Sequence, residues 1–551
     1  MSAGHAGHVA QGGGAVEELM GRARANLRAA GIDVEESDLE GMVERGFLAN
    51  VAAFEAIASQ TPTDLVPDYL KAWGDERFGV PEPPPVAGGS APLPAAREAG
   101  HPTLAETARR IQARAISPVE LVEQTLARIA ERDPALNAFQ VVLADEARGA
   151  ARQAEREIAA GDYRGPLHGV PIAAKDLLAM RGTRTTAGSK ILADWETDFD
   201  AAAIERLRAA GAVIVGKTRM SEFAYSPASN NAHYGPTHNP WNLEHDTGGS
   251  SSGSGSAVAD GLVYGALGSD TGGSIRMPAA LCGIVGLKPT FGRVSLHGAV
   301  TLSWSLDHLG PMTRGVRDAA LMLQVLAGPD ARDPRARAVP VPDYAAALES
   351  GVRGLRVGVL GDDGSGRPLG TDEALAAWRG GLAALERNGA ELVEIDLPGM
   401  QDLRVLNSAI IAMEAAAYHQ PMLRQRLGDF GGFMRHRILS AYAYGPASLV
   451  QAQQARIARR RQFDAIFARV DLLSTPSMPY GAPLLEDPGR NTVFTGPFNA
   501  LGWPAITVPV GLTAERLPLG IQLAGRPWDE ATVLRAAAVV EADGPWPGGK
   551  P

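Results

Sequence analysis

Between residues 165 and 350, short β-branched runs alternate with helix-patterned segments, and glycines punctuate the joins. GVPIAAKDL, AIERLRAAGAVIVGKT and GSGSAVADGLVYGALGSDTGGS are examples. Strand periodicity interleaved with helical periodicity specifies a mixed α/β domain. The pattern returns further on. GLRVGVLG, a helix through Ala374–Asn388 and AELVEIDL read as strand–helix–strand, residues 401–470 read as helical, and DLLSTPSMP and PAITVPVG read as strands. No repeat at a solenoid period interrupts this. A length of 551 residues would allow three or four domains. The pattern instead predicts one large α/β domain.

Composition bounds the function. Lys and Arg number 52 against 62 Asp and Glu, a net charge of −10, which argues against a nucleic-acid partner because phosphate binding needs a basic face. The single Cys282 excludes an internal disulfide and any Cys-cluster metal site. The start, MSAGHAGHVAQGGG, lacks the apolar core of a secretory signal, and its His5 and His8 read as a solvated tail. No apolar run approaches the ~20 residues that span a bilayer. The expected location is cytoplasmic, without membrane association. Gly (64) and Pro (39) exceed their usual share, which composition alone would assign to loops and linkers.

Ala15 to Gly31 suits a helix. Leu39, Met42, Val43, Phe47, Val51, Phe54 and Ile57 recur at helical steps, the stripe of a second, core-facing helix. A shorter segment follows at Leu65–Trp73, then PEPPPVAGGSAPLP at 81–94, whose prolines make a semi-rigid linker. The expected organisation is an all-α unit at 1–80, a linker at 81–97 and a main domain at 98–545, with a helical, pocket-forming segment at about 400–470. The apolar stripe should pack on the main body or in a homodimer. In SPVELVEQTLARIAERD, Ser117 is the expected N-cap and Pro118 the first helical residue.

GAVIVGKT at 211–218 satisfies the phosphate-loop pattern G-x-x-x-x-G-K-[ST]. Its context is reversed: AIERLRAA before Gly211 is helical, and Ala212–Val215 is an apolar run of strand formers. Stiff strand residues do not curl their amides round an anion, so the segment reads as helix, glycine and buried strand.

Three segments carry chemistry together. GVPIAAKDL sets Lys175 at the end of an apolar run; TGGSSSGSGSAVA spans 247–259; GSDTGGSIRMPAALCGIVGLKPT spans 268–290. The Gly/Ser run leads into an apolar, helix-forming stretch rather than a domain boundary. Gly-rich backbone entering a helix is suited to turning amide N–H groups toward an anion. Thr271–Ser274 offers consecutive amides around a serine, an oxyanion hole with its nucleophile inside. A serine needs a base, and no histidine lies in these segments. A buried lysine can serve, because desolvation favours its neutral form, and Lys175 is the candidate. Cys282, in apolar ALCGIVG, reads as a core residue, and His168 as a shaper of the lysine segment.

These segments resemble the amidase signature family, over roughly residues 100–540. LHGVPIAAKD matches its lysine segment. GGSSSGSGSAVADG matches its Gly/Ser segment, although Ser252 stands where Gly is common. SDTGGSIRMPAALCGIVGLKPT matches its nucleophile segment and GPFNALGWPAITVPVG its C-terminal motif. The resemblance implies a mixed central β-sheet covered by helices, beside the small N-terminal all-α unit. It also implies a Ser–cis-Ser–Lys triad. Ser274 is then the nucleophile. Ser250, 24 residues earlier, follows a cis bond and bridges Ser274 to the base Lys175. Backbone N–H groups of Thr271, Gly272, Gly273 and Ser274 hold the oxyanion, and Asp270 with Arg276 supports the loop. The implied activity is hydrolysis of an amide by way of an acyl-enzyme, with carbamates and esters as further classes. The implied partners are a small-molecule amide and water, with neither metal nor organic cofactor. Two alternatives share the motifs: the A subunit of a tRNA-dependent amidotransferase, and an inactive homologue with a binding role. AIIAMEAAAYHQPM and FMRHRILSAYAYG would wall a pocket suited to an aryl or medium-sized apolar acyl group.

Overall fold

The computed structural model describes residues 13–62, 101–489 and 492–546. His5, His8, the segment at Leu65–Trp73 and the linker at 81–97 lie outside the described residues. The centre is an eleven-stranded mixed sheet. In spatial order its strands begin at residues 139, 213, 171, 265, 309, 285, 505, 518, 472, 356 and 391. Helices cover it, as the α/β patterning predicts. Strands Pro171–Lys175, Val213–Thr218, Gly265–Ser269 and Leu309–Thr313 are buried throughout, which is why they read as unbroken small and apolar runs rather than alternating ones.

The phosphate-loop lookalike resolves as expected. Helix Ala202–Ala209 leads through Gly211 into strand Val213–Thr218, and Lys217 pairs with Asp176 at 2.8 Å, both fully buried. Arg356–Leu360, Asp372–Arg387 and Glu391–Ile395 form a strand–helix–strand unit with a parallel pair. Ser117 caps helix Pro118–Leu136 by accepting from the Glu120 N–H at 3.0 Å.

One pairing positions the site. Strand Pro171–Lys175 runs parallel to Gly265–Ser269, with Ala173 opposite Ala266. Lys175 and Ser269 therefore end their strands at the same edge. In α/β sheets, ligand sites form outside the carboxyl ends of parallel strands.

The N-terminal stripe does not belong to one helix. It is split into Glu36–Glu44 and Phe47–Ala58 at Gly46, whose φ of 68° is left-handed and ends the first helix. Leu39, Met42, Val51 and Phe54 are buried, while Val43 is 36% exposed. The covering surface is this chain's own helical segment. Phe54 packs edge-on against Tyr444 at 5.5 Å, and Phe47 against Phe433 at 5.6 Å. Asp38 pairs with Arg435 at 2.8 Å, and Asn50 donates to Tyr444 Oη at 3.0 Å. Among the described residues no helix is long and apolar enough to cross a membrane.

Phe54→Ala removes a fully buried ring from this seam. The expected loss is about 3–5 kcal/mol in denaturant unfolding. New protease cleavage should appear within residues 36–58.

Candidate active site

Lys175 is fully buried at the end of its strand. Its Nζ lies 2.7 Å from Ser250 Oγ and 2.8 Å from both Ser251 Oγ and Ser269 Oγ. Burial drives its pKa far below the usual lysine value, and the charges of Asp270 and Asp307 offset this only in part. A neutral amine donates two hydrogen bonds and accepts one. In that neutral form one of the three hydroxyls donates to Nζ. Ser251 directs its own proton to the Ser269 carbonyl at 3.2 Å. Ser250 and Ser269 are left as the hydroxyls able to pass a proton to the lysine.

Ser250 follows a cis peptide bond from Gly249. The Gly249 N–H donates to the Pro227 carbonyl at 2.7 Å, and a Cβ there would meet the Ala228 carbonyl oxygen at 2.4 Å. Only glycine fits that approach. The Ser251 N–H donates to the Ser274 carbonyl at 3.3 Å, which sets the two serine segments side by side.

The loop from Asp270 to Ser274 continues strand Gly265–Ser269 and enters helix Arg276–Cys282. Asp270 and Arg276 are fully buried and joined by two bonds of 3.0 Å. Burial alone would raise the Asp270 pKa, but the Arg276 guanidinium, with Lys288 and Asn499, holds it well below the carboxylate range. Asp270 also accepts from the Gly273 N–H at 2.7 Å and the Ile275 N–H at 3.2 Å. Arg276 reaches on to Gln522 at 2.7 Å, Asn499 at 2.6 Å and the Thr495 carbonyl at 3.0 Å. The pair ties strand, loop, helix and the C-terminal GPFNALG segment into one network.

Thr271, Gly272 and Ser274 line a narrow cavity of about 30 Å³, with Leu302, Asn407 and Ile411 opposite. Gly273 faces inward: its amide is engaged by Asp270, and at its φ of 130° a Cβ would collide with Thr495 Oγ1 at 2.3 Å. Thr271 donates to Asp307 at 2.6 Å, and Asn407 donates to the Thr271 carbonyl at 3.0 Å. Burial raises the Asp307 carboxyl to about 6, against the bonds it receives from Thr271, Ser303 and Leu302. A wider chamber of about 230 Å³ shares the walls Tyr225, Pro227, Ser408, Arg437 and Thr492. A larger cavity of about 600 Å³, near Trp304 and Glu414, does not include Ser274 among its walls.

The structure thus gathers Lys175, Ser250, Asp270, Thr271, Gly272, Gly273, Ser274 and Arg276 in one locality. Cys282 is buried with its thiol pKa pushed up by burial. His168 sits before the start of the lysine strand, paired with Glu157 at 3.0 Å, away from the end that Lys175 occupies. Sequence reasoning selects Ser250 over Ser251 and misses Ser269, Asp307, Asn407 and Gln522. Ser269 flanks an assigned residue and was within reach; Asp307, Asn407 and Gln522 stand in segments with no pattern of their own.

A family model described as Amidase matches residues 120–534. The A subunit of the glutamyl-tRNA(Gln) amidotransferase from Anaeromyxobacter sp. (strain K) is 44% identical over 483 residues, covering 81% of this chain and 96% of the relative. A solved structure described as a vestigial protein complex that reveals the evolutionary origins of an s-triazine catabolic enzyme aligns with a TM-score of 0.77 at 35% identity, over 80% of this chain and 98% of that one. A 6-aminohexanoate cyclic dimer hydrolase solved with its substrate aligns with a TM-score of 0.73 at 30% identity, over 81% and 97%.

Asp270→Asn leaves the Arg276 charge buried without its counter-ion. The expected cost is about 3–5 kcal/mol of stability, measured by urea unfolding.

Proposed function

We propose that this chain, which belongs to the amidase family, cleaves amide C–N bonds by acyl transfer through Ser274. The observation that carries the reading is a buried Lys175 amine, its pKa lowered by burial, 2.7 Å from Ser250 Oγ and beside the segment that holds Ser274. In this mechanism Ser250 relays the Ser274 proton to Lys175. The Ser274 oxygen attacks the amide carbonyl. The oxyanion that forms takes hydrogen bonds from the Thr271, Gly272 and Ser274 amides, each worth about 3 kcal/mol in related chemistry. The Gly273 amide serves instead to anchor the loop on Asp270. Lys175 returns the proton through Ser250 to the leaving nitrogen, and an acyl-enzyme on Ser274 remains for water to cleave.

The readings differ in the fate of that nitrogen. The 44% identity with the A subunit of an amidotransferase supports a role in which ammonia from glutamine passes to a second protein that works on glutamyl-tRNA(Gln). The chain's net charge of −10 then bears only on its own surface, not on that of the assembly. A free-standing hydrolase is favoured by a different observation. The N-terminal helices cover Met400–Arg426 and Gly432–Leu439 from within the same chain. The chain purified alone should turn over simple amides if it is a hydrolase. Glutamine-dependent amidation of glutamyl-tRNA(Gln), seen only with an added partner, decides for the amidotransferase.

Ser274→Ala should lower kcat by about 10⁴-fold or more while leaving circular dichroism unchanged. A fluorophosphonate probe should add its mass to Ser274 in the unmodified protein only. Wild-type turnover by Ser274→Ala would overturn the assignment. Because the lysine acts as its neutral form, kcat/KM should rise with pH through its lowered pKa and then level off. Lys175→Met should abolish turnover across that range.

A further inference from the structure

The wider chamber beside Ser274 is not built by the α/β body alone. Arg45, Phe47 and Asn50 of the N-terminal helices form part of its wall, facing Arg404, Phe433 and Arg437. Its lining holds three arginines and no carboxylate, in a chain with ten more acidic than basic side chains. Arginines elsewhere are commonly matched with acids, as in Arg148 with Glu123 or Arg332 with Glu205. Among the described residues no ion pair joins Arg45, Arg404 or Arg437 to a carboxylate.

Each of the three is instead placed by an uncharged partner. Arg45 Nε lies 3.1 Å from His436 Nδ1, Arg404 Nε donates to Gln401 Oε1 at 3.0 Å, and Arg437 Nη1 donates to the Tyr225 carbonyl at 3.0 Å. Phe433 lies between two of them, its ring centroid 5.9 Å from the guanidinium carbons of both Arg45 and Arg437. Phe47 closes edge-on against that ring at 5.6 Å. These contacts orient the cations and leave further N–H donors on every guanidinium fork. Asp363, whose charge acts on Arg404, lies outside the lining, as does Asp38, which pairs with Arg435 at 2.8 Å and lies 3.6 Å from His436 Nε2.

We propose that this chamber is an anion subsite, and that the N-terminal helices read the substrate through Arg45 together with Arg404. The ligand it fits is a small amide bearing a carboxylate remote from the scissile bond. A guanidinium fork matches a carboxylate bidentately. A chamber of about 230 Å³ is also below the size of drug-sized ligand pockets, which suits a compact acid rather than a polymer. The subsite rests on the reading of Ser274 as the nucleophile, since the two cavities share walls.

The test compares ω-carboxylated straight-chain amides, from succinamate to adipamate, with n-alkyl amides of the same length. Wild-type enzyme should favour at least one carboxylated member by tenfold or more in kcat/KM. Arg45→Gln and Arg404→Gln should each shrink that ratio by about tenfold or more, and Arg45→Lys should retain more of it than Arg45→Gln. Arg45 is exposed, and an unchanged circular dichroism spectrum checks that its replacement leaves the fold intact. No preference at any chain length, or an unchanged ratio in both variants, overturns the subsite. Calorimetric titration of the carboxylated amides into Ser274→Ala separates the two ideas. Binding that weakens on Arg45→Gln supports the subsite even if Ser274 is not the nucleophile. Turnover of both series with equal efficiency sinks the subsite while leaving Ser274 in place.

Discussion

Asp270 and Arg276 hold opposite charges where no water reaches them, and the glycine loop between them takes its shape from that fact. Removing a carboxylate from water is expensive, and only a full set of donors offsets it. Asp270 collects that set from Arg276, Asn499 and the Gly273 and Ile275 amides. The same bonds turn Gly273 inward and leave Thr271, Gly272 and Ser274 lining the cavity. The electrostatic need of one carboxylate thus sets which residues of the loop line the cavity and which do not.

A second constraint acts on Lys175. Its amine is surrounded by hydroxyls rather than by carboxylates, so burial is not countered by a direct ion pair. Lys217, on the neighbouring strand, is equally buried but has Asp176 at 2.8 Å. The contrast between two lysines in adjacent parallel strands is one of partners: a carboxylate for Lys217 and only hydroxyls for Lys175. It also explains why the phosphate-loop pattern around Lys217 carries no phosphate chemistry.

Much of this was legible in the residues. The alternation of strand and helix patterns predicts the mixed sheet, and Ser117 with Pro118 marks a helix start to the residue. Ser250 and Ser274 stand in segments dense in glycine and serine, and Lys175 ends an apolar run. What escaped was set by tertiary contact. The apolar stripe from Leu39 to Ile57 keeps helical spacing across Gly46, so periodicity alone could not see the break. The inward turn of Gly273 follows from Asp270, and a run of glycines does not announce which amide is taken. Asp307, Asn407 and Gln522 reach the loop from distant segments, and nothing local distinguishes them.

The network around Arg276 also has a direction in time. Its partners Thr495, Asn499 and Gln522 lie within the last sixth of the chain, more than 200 residues after Asp270. Synthesis proceeds from the other end, and in large chains folding begins with the N-terminal part. A ribosome-bound chain that has already emitted Lys175, Ser250 and Ser274 still lacks the bonds that hold its glycine loop. The frame of the loop is therefore completed by a late helix and strand, and a chain cut before residue 495 carries Lys175, Ser250 and Ser274 without it.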